Sequence, residues 1–266
     1  MRSQAVVEEE APSARRSGPY LSHSRISRYL LCPEQYRLYY VEGLRPRNPS
    51  ANLVFGQVLH QTLASLFRDG LDPVESFRER WAEAQGWDLT YGPRDSWERL
   101  SETGRVLLQR FVRDELPRIG QVHSSEKPFE IAVTSLDVPL VGIIDLVADV
   151  DGATTVVDFK TAAKPYQDHE VHLSDQLTAY RLAVPEAERA ALCVLVKTKE
   201  PQIEWHVAER TGDQIVEYLR KVRFVGQEIS AGRFYKRPGL WCSWCDFLPV
   251  CLGDDKRTRQ TLIHVP

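Results

Sequence analysis

The run VPLVGIIDLVADVDGATTVVDFKTA, residues 138–162, sets two carboxylates, Asp145 and Asp158, inside segments otherwise rich in apolar β-branched residues. Such segments read as buried strands. Asp151-Gly152 between them is the dipeptide that a two-residue hairpin turn favours. A carboxylate inside Val-Val-Asp-Phe is costly to bury without a partner. Strand side chains alternate, so Asp158 and Lys160 point to the same face, with Asp145 on the neighbouring arm. Two arrangements satisfy that constraint. Either carboxylate can pair with Lys160 as a structural ion pair. Alternatively Asp145 and Asp158 hold one or two hard cations such as magnesium or manganese, which prefer oxygen ligands and activate water against phosphate esters.

The rest of the chain frames this hairpin. SHSRISRYLL reads as a helix that Ser24 can cap, with Ile26, Tyr29 and Leu30 as its apolar stripe. Pro33 marks a break or the first turn of a second helix carrying Tyr36, Tyr39 and Tyr40. LVFGQVLHQTLASLF, about 73–85 and about 94–116 are further helices, the last with Leu100, Leu107, Phe111 and Val112 inward. PFEIAVTSLD opens the strand region. VHLSDQLTAYRLAV is helical, ALCVLVKTK and QIEWHVAE are strands, and TGDQIVEYLRKVRFVGQEISAG is a helix with Ile215, Leu219, Val222, Val225 and Ile229 near-periodic. The order predicts an α/β fold: three antiparallel strands, a helix and further strands, with a helical insertion at about 73–120. Residues 1–18 are expected to be disordered, 19–252 to form one domain, and 253–266 a charged tail.

Five cysteines are unevenly placed. Cys193, in ALCVLV, reads as a buried strand residue, and WCSWCDFLPVC sets Cys242, Cys245 and Cys251 as C-x2-C-x5-C, with Cys32 remote. A disulfide framework does not suit a chain of this size without an export signal. Four thiolates suit tetrahedral zinc or an iron–sulfur cluster, and Trp241, Trp244 and Phe247 are candidates for a dry shell around either. The remote fourth cysteine favours a cluster stapling the two end segments over a two-knuckle zinc site.

Two other features stand in chain order with the carboxylates. His60 lies on the helix VFGQVLH, and Gln176 and Tyr180 share one helix face at i, i+4 after the Asp/Lys strand. Singly, each suits ordinary packing. Together, a helical His, then Gly142–Asp145 as G-x-x-D, Asp158–Lys160 as D-x-K, and Gln176–Tyr180 as Q-x-x-x-Y resemble the RecB branch of the PD-(D/E)xK nuclease superfamily. SRISRYLLCPEQY and CSWCDFLPVC are similar to members carrying a cluster, including AddB-type nuclease domains and CRISPR-associated RecB-like exonucleases. The resemblance covers about 22–251. The literal Pro-Asp is replaced by Ile-Asp at 144–145, and Asp158 stands where Glu is frequent.

That resemblance implies a restriction-endonuclease-like core with a Cys-stapled C-terminal segment. It implies metal ligation by His60, Asp145, Asp158 and the Phe159 carbonyl. Lys160 would position or activate water, and Gln176 and Tyr180 would orient Lys160 or the DNA backbone. Cys32, Cys242, Cys245 and Cys251 would bind a 4Fe–4S cluster, with zinc as the alternative. The implied activity is metal-dependent DNA hydrolysis, as an exonuclease on single strands or frayed ends, in repair, recombination or CRISPR- or phage-related processing. A helicase or CRISPR-adaptation protein is an implied partner. The competing function is a non-catalytic DNA-binding subunit of a helicase–nuclease complex that keeps fold and cluster.

The formal net charge of -3 argues against non-specific coating of nucleic acid but not against a local basic groove. Arg25, Arg28, Arg37, Arg45 and Arg47 among Tyr29, Tyr36, Tyr39 and Tyr40 read either as a solvated face over core tyrosines or as a phosphate- and base-binding patch. Lys197, Lys199, Lys236 and Arg237 are further candidate backbone contacts. With no long apolar run and no signal-like N-terminus, a cytoplasmic, membrane-free protein is expected.

Overall fold

The computed structural model describes residues 18–265. All but Gly18 of the segment expected to be disordered lies outside the described residues. The elements run α1 (His23–Leu31), α2 (Pro33–Tyr36), β1 (Leu44–Pro46), α3 (Ala51–Asp69), α4 (Pro73–Glu83) and α5 (Trp97–Arg110). The strands β2 (Ile119–Ile131), β3 (Leu140–Val150) and β4 (Ala153–Ala162) follow, then α6 (Asp168–His172) and α7 (Asp175–Ala183). β5 (Arg189–Val196), β6 (Gln202–Ala208), α8 (Gly212–Ser230), α9 (Leu248–Leu252), α10 (Asp255–Thr261) and β7 (Leu262–His264) complete the order. No described helix is long and apolar enough to cross a membrane.

The chain divides into two compact units. One contains Ser50–Glu130 and Gly142–Tyr218 and holds a five-stranded sheet in the order β2-β3-β4-β5-β6. β3 and β4 pair antiparallel, β4 and β5 parallel, and β5 and β6 antiparallel. This is the mixed α/β core expected of a restriction-endonuclease-like fold. Asp151 and Gly152 both take positive φ, 49° and 81°, as the tight β3–β4 turn requires. The parallel β4–β5 step needs a crossover, which α6 and α7 supply. Val156, Leu192, Val194 and Val196 of the sheet and Leu177 and Tyr180 of α7 belong to one buried core. On the other side of β4, Phe159 stacks on Phe67 at 6.0 Å and meets Phe111 edge-on at 5.9 Å. Cys193 is fully buried in β5, as its apolar setting predicts.

The other unit contains residues to Pro49, Ile131–Val141 and the chain from Leu219. Here the two end segments meet: β1 pairs antiparallel with β7, Leu44 opposite His264. Leu38, Tyr39, Leu44, Phe247 and Leu262 form the core beneath, with Cys245 and Val250 packed against it. Pro33 stands at the first position of α2, so Cys32 before it is extended (φ -160°, ψ 112°) and interrupts the helix.

Several expectations are corrected. Ser22, not Ser24, caps α1, because its extended backbone brings its hydroxyl to the Arg25 N–H at 3.3 Å. The single helix read over 171–184 is two, since Ser174 breaks it by capping α7. β2 starts at Ile119, earlier than the apolar pattern suggested, because most of its first half is exposed and polar. Val112 faces solvent. The expected tail carries α10 and β7. Of the three aromatics assigned to a dry shell, Phe247 is buried but Trp244 is exposed.

Candidate active site

Register and alternation assemble the site. Leu146 opposes Val157, so one step further Asp145 comes level with Asp158, and both carboxylates project from adjoining arms. Asp158 is only 1% exposed. Lys160, two residues on, reaches back to Asp158 Oδ2 at 2.9 Å. The buried Oδ2 therefore has the Lys160 ammonium as its partner. The Lys160 ammonium donates to Gln176 Oε1 at 2.8 Å, and Gln176 Nε2 donates to the Tyr180 hydroxyl at 3.0 Å. The i, i+4 spacing on α7 therefore makes one continuous relay from strand to helix.

Tyr180 has one proton and two acceptors within reach: the Ile143 carbonyl at 2.7 Å and Asp158 Oδ1 at 3.1 Å. With Gln176 filling an acceptor site on its oxygen, the phenol is fixed between β3, β4 and α7. Burial, then the charges of Asp158 and Asp145, push its pKa well above the ordinary value. It acts here as a neutral donor.

Asp145 is held differently. Its Oδ2 accepts the Phe159 N–H at 2.8 Å and lies 3.5 Å from His60 Nδ1. Burial pushes the Asp145 pKa up, but the His60 charge and hydrogen bond, the Phe159 N–H and Lys160 outweigh it, and the net shift is downward. Asp158 goes the other way: burial, aided by Asp145, raises it despite Lys160. Opposite shifts in two neighbouring carboxylates occur at catalytic sites and in structural ion-pair networks alike. Burial depresses Lys160 and His60, but the carboxylates beside them raise both overall. His60 keeps 34% of its side-chain surface exposed, so its ring borders solvent.

Gly56 on α3, one helical turn before His60, explains how that helix comes so close. A Cβ there would stand 3.0 Å from Thr161 Oγ1 of β4. At Gly142 a Cβ would stand 2.6 Å from the Phe129 ring, so the glycine of G-x-x-D keeps β3 and β2 in contact.

All six predicted side chains, His60, Asp145, Asp158, Lys160, Gln176 and Tyr180, therefore meet. Phe159 joins through its N–H, with its ring in the core. The sequence did not mark the Ile143 carbonyl or Tyr166. Tyr166 lies in the β4–α6 connection, its N–H on Glu204 Oε2 at 3.2 Å. Burial raises its phenol pKa, and Lys160 and Asp158 both act on it, so it stands near the relay. Its position depends on β6, which no local pattern reveals.

The donor chemistry, two carboxylates and an imidazole, suits a hard divalent cation. Among the described residues, however, no three His, Cys, Asp or Glu side chains are gathered closely enough to count as a preformed ligand set. Lys160 provides the countercharge to Asp158. The four candidate cluster cysteines carry no disulfide. Burial raises the thiol pKa values of Cys245 and Cys251, and Cys32 acts electrostatically on both. Gln35 Nε2 lies 3.5 Å from Cys245 Sγ. The thiols belong to one unit without being closed around a point.

The arginine–tyrosine group resolves towards structure. Arg28 and Arg45 lie over Tyr39 at 3.6 and 3.4 Å, and Arg25 lies over Tyr20 at 4.0 Å. Tyr29, Tyr36 and Tyr39 are buried, so no base can stack on them. Arg37 pairs with Glu34 and Glu42, and Arg47 donates to the carbonyls of Arg259 and Gln260. Lys197 is tied to Asn52 and sits over Phe55, a packing role.

A family model described as the PD-(D/E)XK nuclease superfamily matches residues 20–252. The Gene 69 protein of Mycobacterium phage L5 is 24% identical over 291 residues, covering 88% of this chain and 96% of that protein. A crystal structure from Eubacterium rectale, described as a candidate exonuclease, superposes with a TM-score of 0.53 at 15% identity. It covers 83% of this chain and 85% of its own.

Proposed function

Because the chain belongs to the PD-(D/E)XK nuclease superfamily, we propose that it is a metal-dependent deoxyribonuclease of the RecB-like branch, acting as an exonuclease on single strands or frayed ends. The observation that carries this reading is the buried Asp158, ion-paired with Lys160 and joined through Gln176 to Tyr180, beside Asp145 and His60. Asp145, Asp158 and His60, with the Phe159 carbonyl, would hold magnesium or manganese. Such an ion, when bound, supplies polarisation of the phosphate and a lowered pKa for water.

The chain's own groups do the positioning. Lys160, held by Gln176, presents an ammonium to the charge that develops on the phosphoryl oxygens. Tyr180 keeps Asp158 and the β3 backbone in place. The Phe159 N–H and His60 orient Asp145. The single-domain reading of 19–252 belongs to this proposal, as do a cytoplasmic location, a role in repair, recombination or CRISPR- or phage-related processing, and a helicase or CRISPR-adaptation partner. We further propose that Cys32, Cys242, Cys245 and Cys251 close around a 4Fe–4S cluster, supported by a wholly thiol donor set in one unit. Zinc is the alternative, and iron and zinc analysis of anaerobically purified protein separates the two.

Digestion of end-labelled single- and double-stranded DNA with magnesium or manganese tests the activity. Asp158→Ala and Lys160→Ala should each lower turnover by about 10²-fold or more. Variants that cut like the parent would show the assigned site to be wrong.

A further inference from the structure

We propose that the segment Arg233–Trp244 is a stacking platform for an unpaired nucleic-acid strand, built from none of the residues of the carboxylate site. Its link to a substrate rests on the nuclease reading above. The segment, RFYKRPGLWCSW, carries no carboxylate and three cations, of which Arg233 is paired with Glu228 and Lys236 and Arg237 are left. It also leaves large apolar side chains in water: Tyr235 is 59% exposed, Leu240 83% and Trp244 72%. These three side chains fall within ten residues of chain, and concentrated apolar surface is what marks an interaction site where single exposed residues do not.

The cations also hold the segment in place. Lys236 donates to the Cys251 carbonyl at 2.8 Å, at the end of α9. Arg237 donates to the Leu30 carbonyl at the end of α1, and its guanidinium stands 5.0 Å over the Trp241 ring. Trp241 Nε1 in turn donates to the Arg237 carbonyl at 2.9 Å. These acceptors are neutral. Among the described residues no carboxylate is hydrogen-bonded to Lys236 or Arg237; Lys236 acts on Glu34 only at a distance, so both cations can still meet a polyanion. Exposed Leu252 stands beside Cys251, and Leu30 is itself partly exposed, so further apolar surface adjoins the anchors. Exposed rings among fixed cations match what an unpaired strand offers: a π-face on every base and a phosphate on every linkage. The charge favours this occupant over a protein partner, and a duplex presents no base faces to the rings.

The platform is tested by binding without cleavage. Labelled oligothymidylate and a duplex of the same length are titrated in EDTA with the parent and with Tyr235→Ala/Trp244→Ala. The parent should prefer the single strand, and the double variant should lose roughly ten-fold or more of that affinity. Tyr235→Phe/Trp244→Phe, which keeps an aromatic ring at both positions, should restore most of it. Independently of how the variants fold, photo-crosslinking the parent to a bromodeoxyuridine strand should modify Tyr235, Trp241 or Trp244. The proposal is overturned if the folded alanine variant binds like the parent or if crosslinks fall only outside 233–244. It is also overturned if the parent sediments as an oligomer that the alanine variant dissolves while strand binding persists, which would make the patch a protein interface. Because binding is read in EDTA, absence of metal-dependent cleavage would defeat the nuclease reading and leave this measurement intact.

Discussion

At the scale of single residues, Tyr180 carries more than its place in Q-x-x-x-Y suggests. Its oxygen accepts from Gln176 and can donate to the Ile143 carbonyl or to Asp158. Tyr180→Phe keeps the ring and leaves those groups without a partner. It should cost about 1–3 kcal/mol of stability and about 10–100-fold in metal-dependent turnover, as for a group that orients a ligand. Denaturant titration and single-turnover kinetics separate the two effects. A second residue sets an acid limit. Glu34 is nearly buried, and two hydrogen bonds from Arg37 draw its pKa below the ordinary 4.5 against the opposing effect of burial. A carboxyl whose folded pKa is depressed stabilises above the unfolded pKa and loses that contribution as pH falls through the folded one. Stability should therefore drop below about pH 4.5, and Glu34→Gln should lower the plateau at neutral pH and flatten this limb. Urea unfolding between pH 3 and pH 6, on the order of one point per half unit, would show it. An acid limb unchanged by Glu34→Gln would assign that loss to other carboxyls.

At the scale of elements, the β3–β4 hairpin does most of the positioning, and its weak point is Gly142. A Cβ there would enter the Phe129 ring at 2.6 Å. Gly142→Ala should cost roughly 1–3 kcal/mol through forced repacking of β2 on β3. Because Ile143 and Asp145 follow directly, turnover should fall as well. Thermal melts and digestion assays on one preparation check both, and an unchanged melt would mean that β2 yields freely. This hairpin was legible in the sequence because its signals are local: runs of apolar β-branched residues, an Asp-Gly turn, and Asp158 and Lys160 two apart. Six site side chains followed from those signals and from family order. What stayed hidden depends on distant register. Tyr166 is placed through Glu204 of β6, and Gly56 matters only because α3 crosses Thr161. The short strand β7 has meaning only against β1, from the other end segment, which is why 253–266 read as a tail. The arginine–tyrosine group left two readings open, core tyrosines under a solvated face or a binding patch, because sequence shows residue types and not burial. Tyr29, Tyr36 and Tyr39 proved to be core, and exposed rings stand instead at Tyr235 and Trp244.

At the scale of the whole molecule, the end segments are joined in one unit by β1–β7 pairing and by the core of Leu38, Tyr39, Leu44, Phe247 and Leu262. Cys245 packs against that core, and Cys32 interrupts α1 and α2 beside it in sequence. A cluster on Cys32, Cys242, Cys245 and Cys251 would cross-link segments that the β1–β7 pairs already bring together. Its effect would then be chiefly on stability, restricting the unfolded chain as a long-range covalent link does, by about 3–5 kcal/mol. Cys245→Ser should lower the melting temperature by several degrees and remove any visible absorbance. It should also speed amide exchange in α2, β1 and β7, while β3, β4 and β5, which belong to the other unit, keep their protection. Residue-resolved hydrogen exchange on the parent and variant distinguishes this from a direct part in chemistry. If Cys245→Ser abolished cleavage with melting and exchange unchanged, the cysteines would have to act on the reaction itself. If exchange rose equally in β3–β5, the stability of the two units would be coupled through the cysteine segment, and a staple confined to the end segments would be ruled out.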